Sequence, residues 1–356
     1  MTAILDAFPY PWELAEARQL HVVLTQLYPT AKGSLFVAQQ AGLDQGMIFS
    51  DQAPYLIWKD VLELAASSQR TRKIVERAAQ QHHSNPHRPF LDALLQDRTP
   101  MLDSEPRGEL GEPAFVRGTD DITEDEALLF RDDLTLPIGR VPWLIGVLER
   151  LKALAPAVCR LLVAAGGRTQ RGTGFRIAAD MILSNWHVLT LNGEPALEVT
   201  AEFGYDDDGK GGGVESTAFP CDVATIRAER RDDWGIIRVQ QPLPDSVPIL
   251  RLSGAAAPVV NAAAFIIQHP AGERKRVGYV RNQIMSFDDR VVQYLTDTQT
   301  GSSGSPVLDD SGSLIALHHA GGRPNEVAGK PPLRKNEGIR IAAVLNGLAE
   351  AGVTVP

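Results

Sequence analysis

Residues 300–308 read Thr-Gly-Ser-Ser-Gly-Ser-Pro-Val-Leu, and this stretch decides which fold and which chemistry the sequence predicts. It places Ser303 in a turn between Gly301 and Gly304, directly before a short apolar segment. Glycine permits the positive φ angles of a tight turn, so Gly301 would let its own N–H and that of Ser303 point at one atom. Each such donor to a developing oxyanion is worth about 3 kcal/mol. The stretch therefore predicts a serine nucleophile with an oxyanion hole.

Two upstream patterns supply the groups that a serine nucleophile needs. The segment SNWHVL presents His187 after an apolar run, and DWGIIRV places Asp233 at the start of an apolar strand. A serine hydroxyl is a weak nucleophile at neutral pH, so it needs an adjacent base, and the base needs a third group that fixes its tautomer. We therefore predict Ser303 as the nucleophile, His187 as the base and Asp233 as the orienting acid. Asp232 is an alternative to Asp233.

These three motifs resemble the histidine, aspartate and serine signatures of the trypsin-like (chymotrypsin-fold) serine peptidases. Their order along the chain is the same, with 46 residues from His187 to Asp233 and 70 from Asp233 to Ser303. The α/β-hydrolases use the order serine, acid, histidine, and their G-x-S-x-G turn requires glycine where this chain has Ser305. The resemblance covers residues 158–348. It implies a double six-stranded β-barrel of the trypsin type that hydrolyses peptide bonds.

Within that family the sequence is most similar to the glutamyl-endopeptidase branch, because LIALHHAGGRPNE (314–326) resembles the pocket strand of that branch. The resemblance implies that Thr298 and His319 bind an acidic substrate side chain. Asp297 lies six residues before Ser303, where the specificity aspartate of trypsin lies, and would attract Arg or Lys instead. We expect an acidic preference. The residues whose backbone would pair with an extended substrate as an added strand are His319, Ala320 and Gly321.

The residue pattern of the C-terminal part of the chain supports an all-β fold. From Val158 onward the apolar segments are short, rich in β-branched residues and separated by turn residues, which is typical of a barrel or sandwich. One amphipathic helix is predicted before them at 141–155, and another after them at 340–351. We assign residues 141–356 to the protease domain.

The N-terminal region predicts a different fold. Between residues 12 and 96, apolar residues recur at helical spacing between Pro, Gly, Asn and Ser, so five or six short helices fit. The segment 20–78 resembles the bacterial effector-associated domains, which are small death-like helical bundles fused to protease or NTPase partners in prokaryotic conflict systems. The resemblance implies that residues 1–96 dock to a partner protein that carries a similar helical domain.

The net charge of -9 lies almost entirely between these two predicted domains. Residues 1–96 carry -1, residues 97–133 carry -8, and the rest of the chain is neutral overall. The acidic stretch also contains several prolines and glycines, which is typical of a solvated linker. We therefore predict an acidic linker at 97–140. The acidic balance counts against general nucleic-acid binding.

Cysteine content and the N-terminal sequence bear on the compartment. Cys159 and Cys221 are the two cysteines, so no disulfide framework is predicted and a reducing compartment is favoured. The first 20 residues lack the basic start and apolar core of a secretory signal, and the longest uncharged run, 253–272, is interrupted by prolines and glycines. We expect a cytoplasmic protein with no membrane anchor. The motifs imply no metal and no organic cofactor.

The favoured hypothesis is an intracellular bacterial serine endopeptidase that is recruited or activated through its helical domain, as an effector in defence signalling. One alternative is a non-catalytic scaffold in which the barrel is a binding platform. Another is a housekeeping quality-control protease, which would degrade unfolded proteins broadly and would work without residues 1–96.

Overall fold

The computed structural model of the chain describes residues 4–28, 30–49, 54–81, 87–103, 141–210, 212–279, 282–296, 298, 301–321 and 335–356. Most of the predicted acidic linker, residues 104–140, lies outside the described residues, as do Asp297 and Thr300. The chain forms two compact units, and it passes from the first to the second between Leu102 and Asp103. Among the described residues, no helix combines the length and the apolar character that crossing a bilayer requires.

The first unit is a helical bundle, as predicted. Its core is built around the fully buried side chains of Leu20, Leu24, Ile57 and Trp58. Burying side chains of this size contributes about 1.5–3 kcal/mol each, which is what holds short helices together. The helices are α1 (Ala15–Leu27), α2 (Ala31–Gln40), α3 (Pro54–Ser67), α4 (Thr71–Gln81) and α5 (Arg88–Leu95), with 3-10 turns at Ile4–Asp6 and Gln45–Met47.

The first barrel of the second unit consists of six antiparallel strands. They are ordered β3-β2-β5-β6-β7-β4, and β4 pairs back onto β3 through Phe175 with Leu183 and Arg176 with Ile182, which closes the barrel. After the two-residue strand β1 (Leu102–Asp103), these strands are β2 (Val158–Ala165), β3 (Arg168–Arg176), β4 (Met181–Ser184), β5 (Glu198–Phe203), β6 (Thr217–Glu229) and β7 (Trp234–Val239).

The second sheet contains seven strands in the order β10-β11-β14-β13-β12-β8-β9. They are β8 (Phe265–Gln268), β9 (Arg276–Gly278), β10 (Ile284–Phe287), β11 (Val291–Tyr294), β12 (Pro306–Leu308), β13 (Leu314–Gly321) and β14 (Asn336–Arg340). A bridge joins Ala263, just before β8, to Gln283, just before β10. β9 also pairs with β8. The first and last strands of this order, β10 and β9, are therefore both joined to the segment that contains β8, and the sheet closes into a barrel. The predicted trypsin-type double barrel is confirmed.

One hydrophobic core joins the two barrels. Phe175 and Trp234 from the first barrel and Leu317 and Ile339 from the second belong to the same buried cluster. The helices α6 (Val141–Leu154) and α8 (Ile341–Glu350) pack onto this cluster, and both end within a residue of the predicted bounds. This shared core fixes the barrels against each other, so loops from both can meet at one place.

Candidate active site

His187 lies in the single-turn helix α7 (Trp186–Leu189), directly after β4. Its side chain is 1% exposed. The helix is tied to β3 because the side-chain amide of Gln170 donates hydrogen bonds to the carbonyl oxygens of His187 (3.0 Å) and Val188 (2.7 Å). β4, the turn of α7 and these two hydrogen bonds fix the position of the His187 imidazole.

Asp233 lies against His187 from the loop before β7. Its carboxylate accepts the backbone N–H of His187 at 3.0 Å and lies 2.8 Å from Nδ1 of the same residue. The backbone of Asp233 has a φ of +44°, which few residues other than glycine adopt. The side-chain amide of Asn185 donates to the Asp233 carbonyl oxygen at 2.8 Å and supports this conformation. A carboxylate only accepts, so the contact places the His187 proton on Nδ1.

The alternative acid, Asp232, points elsewhere. Its carboxylate is paired with the guanidinium of Arg290, whose Nε lies 2.6 Å from Oδ1. The structure therefore favours Asp233 over Asp232 as the partner of His187. Burial opposes the charged form of Asp233, but His187 and hydrogen bonds to its carboxylate prevail and lower the pKa of Asp233 to about 2.

Ser303 lies in a tight turn between β11 and β12. Gly301 and Gly304 both have a φ of +89°, and Ser305 N–H closes the turn on the Ser302 carbonyl oxygen at 3.1 Å. The turn is anchored to β13 because Gly304 N–H donates to the carbonyl oxygen of His318 at 2.9 Å. Ser303 itself is 6% exposed. The predicted glycine-bracketed serine turn is therefore present.

Thr173 of β3 ties this turn to the first barrel, a role that no sequence motif indicates. Its N–H donates to the Ser303 carbonyl oxygen at 2.9 Å, and its hydroxyl donates to the Gly301 carbonyl oxygen at 3.0 Å. The Thr173 carbonyl oxygen accepts from the hydroxyl of Ser184, three residues before His187, at 2.7 Å. One fully buried residue thus connects the serine turn with the strand that leads to the histidine.

The two amides predicted to form the oxyanion hole are available. In the described part of the chain, the N–H groups of Gly301 and Ser303 donate to no other group. Gly301 is packed against the turn that contains His269 and Gly272, since a Cβ on Gly301 would lie 2.8 Å from the Gly272 nitrogen. His269 is fully buried, bonded to the Glu273 carbonyl oxygen, and burial lowers its pKa to about 3. It acts as a neutral structural residue below the hole.

The histidine and the serine are not hydrogen bonded to each other here. Within the described residues, Nε2 of His187 has no hydrogen-bond partner. The structure thus brings His187 and Asp233 into direct contact and holds the Ser303 turn beside them through Thr173 and Ser184.

His319 does not occupy the predicted acid-binding position. Its Nδ1 lies 3.2 Å from Oδ2 of Asp233, and its Nε2 lies 3.0 Å from Oε1 of Glu337. The reason is an irregularity in β13: His318 pairs with Gly338 and Ala320 with Glu337, so His319 is an extra residue in the strand. Such a bulge re-aims a side chain. With both ring nitrogens engaged, His319 faces the acid of the site instead of a substrate side chain.

The other predicted substrate-binding residues are placed as follows. Thr298 donates its hydroxyl to Oδ1 of Asn336 at 2.7 Å. Ala320 and Gly321 lie in β13 and pair with β14. Asp297 lies outside the described residues. Pairing of β13 with an extended substrate therefore remains a prediction.

Three further residues shape the site without having been singled out from the sequence: Thr173, Asn185 and Glu337. Glu337 lies in the short strand NEGIR, and an acidic residue buried there is expected to have a partner. Thr173 stands between two glycines in β3, and a Cβ on Gly174 would lie 2.8 Å from the Ile182 side chain and 2.9 Å from the Leu161 side chain, so the chain is closely packed beside Thr173. Among the described residues, no group of histidine, cysteine and acidic side chains could hold a metal ion.

Comparison with known families assigns both units. Residues 172–317 match the family described as trypsin-like peptidase domain. Residues 10–98 match effector-associated domain 1. The finer resemblance to the glutamyl-endopeptidase branch stays a prediction.

Two curated proteins are similar to this chain over part of their length. The uncharacterized protein y4fB of Sinorhizobium fredii is 34% identical over 50% of this chain and 29% of its own length. The secreted RxLR effector protein 73 of Plasmopara viticola is 30% identical over 48% of this chain and 46% of its own length. The chain thus spans less than half the length of these curated relatives.

Solved structures with a similar backbone include the active form of the Rv3671c protease from M. tuberculosis, with 19% identity and a TM-score of 0.43 over 58% of this chain and 86% of that chain. A serine endoprotease from Yersinia pestis matches with 15% identity and a TM-score of 0.42 over 58% of this chain and 65% of that chain. The two family matches carry the assignment: the chain combines an effector-associated domain 1 with a trypsin-like serine peptidase domain.

Proposed function

We propose that the chain is a serine endopeptidase in which Ser303 attacks the substrate carbonyl, His187 acts as general base and then acid, and Asp233 orients His187. The buried pair of His187 and Asp233 carries the proposal, since one carboxylate binds both the backbone N–H and the Nδ1–H of one histidine. The glycine-bracketed turn that holds Ser303 supports it.

The proton positions determine the chemistry. Asp233 keeps the His187 proton on Nδ1, which leaves the lone pair of Nε2 free to take the Ser303 proton as the oxygen attacks. The new imidazolium is stabilised by the buried carboxylate. Negative charge moves to the substrate oxygen, where the N–H groups of Gly301 and Ser303 would bind it. His187 then gives the proton to the leaving amine, and water repeats the sequence on the acyl-enzyme.

A serine-reactive fluorophosphonate probe tests this proposal. We expect the wild type to be labelled and Ser303→Ala to lose labelling completely, because the probe bonds only to an activated serine oxygen. Ser253→Ala is the matched control, since Ser253 is an exposed serine and should label like the wild type. Absence of labelling in the wild type, across pH and with substrate proteins present, would support the non-catalytic scaffold instead.

The preferred cleavage site is a separate question. The resemblance to glutamyl endopeptidases favours acidic residues, with Thr298 as the proposed pocket residue. The cluster of Asp233, His319 and Glu337 supplies no net positive charge for an acidic side chain. Cleavage of a peptide library distinguishes the options: selection of Asp or Glu supports the resemblance, and selection of Arg or Lys assigns specificity to Asp297.

We propose further that residues 10–98 recruit the protease to a partner with a similar death-like helical domain, in bacterial defence or antiviral signalling. The match to effector-associated domain 1 supports this role. The buried free thiols of Cys159 and Cys221 are compatible with a reducing, cytoplasmic location. A recruited effector would cut few proteins, whereas a quality-control protease would cut unfolded proteins broadly.

Co-purification tests the recruitment. Full-length Ser303→Ala is expressed with proteins of the same genome that carry an effector-associated domain 1. We expect at least one to bind this full-length variant, and binding to disappear when residues 10–98 are also removed from it. Binding that survives this removal, or none from any such protein, contradicts homotypic recruitment.

A further inference from the structure

His319 is held between two buried carboxylates. Its Nδ1 lies 3.2 Å from Asp233, and its Nε2 lies 3.0 Å from Glu337. Its side chain is 16% exposed, whereas those of Asp233 and Glu337 are 10% and 2% exposed. The second oxygen of Glu337 accepts a hydrogen bond from the side-chain amide of Gln293 at 3.1 Å. The row His187, Asp233, His319, Glu337 is therefore continuous.

The proton count of this row follows from its acceptors. A carboxylate oxygen donates nothing, so each ring nitrogen of His319 must carry its own proton. His319 is then an imidazolium. Burial alone would favour the neutral form, but the hydrogen bonds and charges of Asp233 and Glu337 outweigh it and raise the pKa of His319 to about 9.

The net charge of Asp233, His319 and Glu337 determines how well a positive charge on His187 is stabilised. With both carboxylates ionised and His319 protonated, the three groups beyond His187 sum to one negative charge. With an uncharged acceptor in place of Glu337 and His319 still protonated, the imidazolium would cancel Asp233, and the positive charge that forms on His187 during catalysis would lose its counter-charge. Glu337 thus restores the negative charge that His319 removes.

We propose that His319 and Glu337 are positioning residues that act through Asp233: His319 fixes the carboxylate, and Glu337 keeps the net charge facing His187 negative. This role rests on the proposed function of the site. The side chains that face His319 are Asp233, from the loop before β7, and Glu337, from β14. Tyr294 of β11 stays neutral beside Glu337, because burial and that carboxylate raise its pKa well above the ordinary value. Arg290 is paired with Asp232.

The test is the pH profile of kcat/KM for the full chain, whose acid limb reports the pKa of His187 in the free enzyme. We expect Glu337→Gln to move this limb down by about one pH unit and to lower kcat/KM about tenfold, because a unit charge in the cluster is removed. Adding His319→Gln to Glu337→Gln removes the compensating positive charge, so the limb should return toward the wild type. Asp180→Asn, which removes a surface carboxylate paired with Arg238, should leave the limb unmoved.

A merely structural role predicts the opposite pattern, with the double variant more impaired than Glu337→Gln and no return of the limb. That result, or an unmoved limb in Glu337→Gln, overturns the proposal. A second readout is independent of hydrolysis: NMR titration of His187 in the full-length Ser303→Ala background, with labelled histidine. If hydrolysis proves independent of Ser303 while this titration shifts as expected, the proposed function fails and the charge assignment stands.

Discussion

Asp233→Asn is expected to reduce kcat/KM by about 10⁴-fold while leaving the fold intact. Asparagine keeps one acceptor oxygen where the carboxylate has two, it carries no negative charge, and its amide nitrogen adds a donor where the site needs acceptors. The imidazole then loses both its fixed tautomer and the charge that stabilises its protonated form. Steady-state hydrolysis of a peptide substrate measures the effect, and circular dichroism reports the fold.

Asp232→Asn is the matched control, because it removes a neighbouring carboxylate of the same size. That carboxylate pairs with Arg290 near the surface, and such pairs contribute about 0–1 kcal/mol. We expect activity within about threefold of the wild type. Equal losses in both variants would contradict the assignment of Asp233 and reopen the alternative that the sequence left.

Gly304→Ala is expected to destabilise the protease domain by about 3 kcal/mol or more and to abolish probe labelling. A Cβ at this position would lie 1.9 Å from the Thr173 carbonyl oxygen and 2.4 Å from the Ser184 hydroxyl, and the φ of +89° is itself unfavourable for alanine. The serine turn would have to move away from β3. Scanning calorimetry of the full chain should show the transition of this domain about 6–12 °C lower.

Gly209→Ala separates the effect of the positive φ from the effect of the steric clash. Gly209 has a φ of +68°, and among the described residues nothing lies within 4 Å of where a Cβ would stand, so alanine there meets the backbone strain without the clash. That strain is worth about 1 kcal/mol, which corresponds to a shift of about 2–4 °C. If both variants lower the transition temperature equally, the close approach of Gly304 to Thr173 is not what holds the serine turn in place.

The three chemical groups could be predicted because each lies in a short local motif, and the double barrel was implied by the family that these motifs resemble. His187, Asp233 and Ser303 each stand in a motif of a few residues, and their order and spacing are specific to one fold. The helical bundle was equally accessible, since the apolar period of α1 and α3 is visible along the chain.

What could not be predicted depends on contacts between distant residues. No pattern along the chain shows that His319 is an extra residue in β13, and its place in the substrate pocket was expected from the resemblance to the glutamyl endopeptidases. Thr173 lies 128 residues from Gly301, and no local pattern shows that their hydrogen bond forms. Neither the burial of Glu337 nor its contact with His319 can be read from the local sequence.

Several contacts of the site cross from one barrel to the other. Thr173 of the first barrel binds Gly301 and Ser303 of the second, and His319 of the second barrel binds Asp233 of the first. Neither barrel holds all three proposed catalytic residues, so the rate of the reaction depends on the relative position of the two barrels. A displacement of about 1 Å at the junction of the barrels would therefore suppress the reaction about 100-fold while both barrels stay folded.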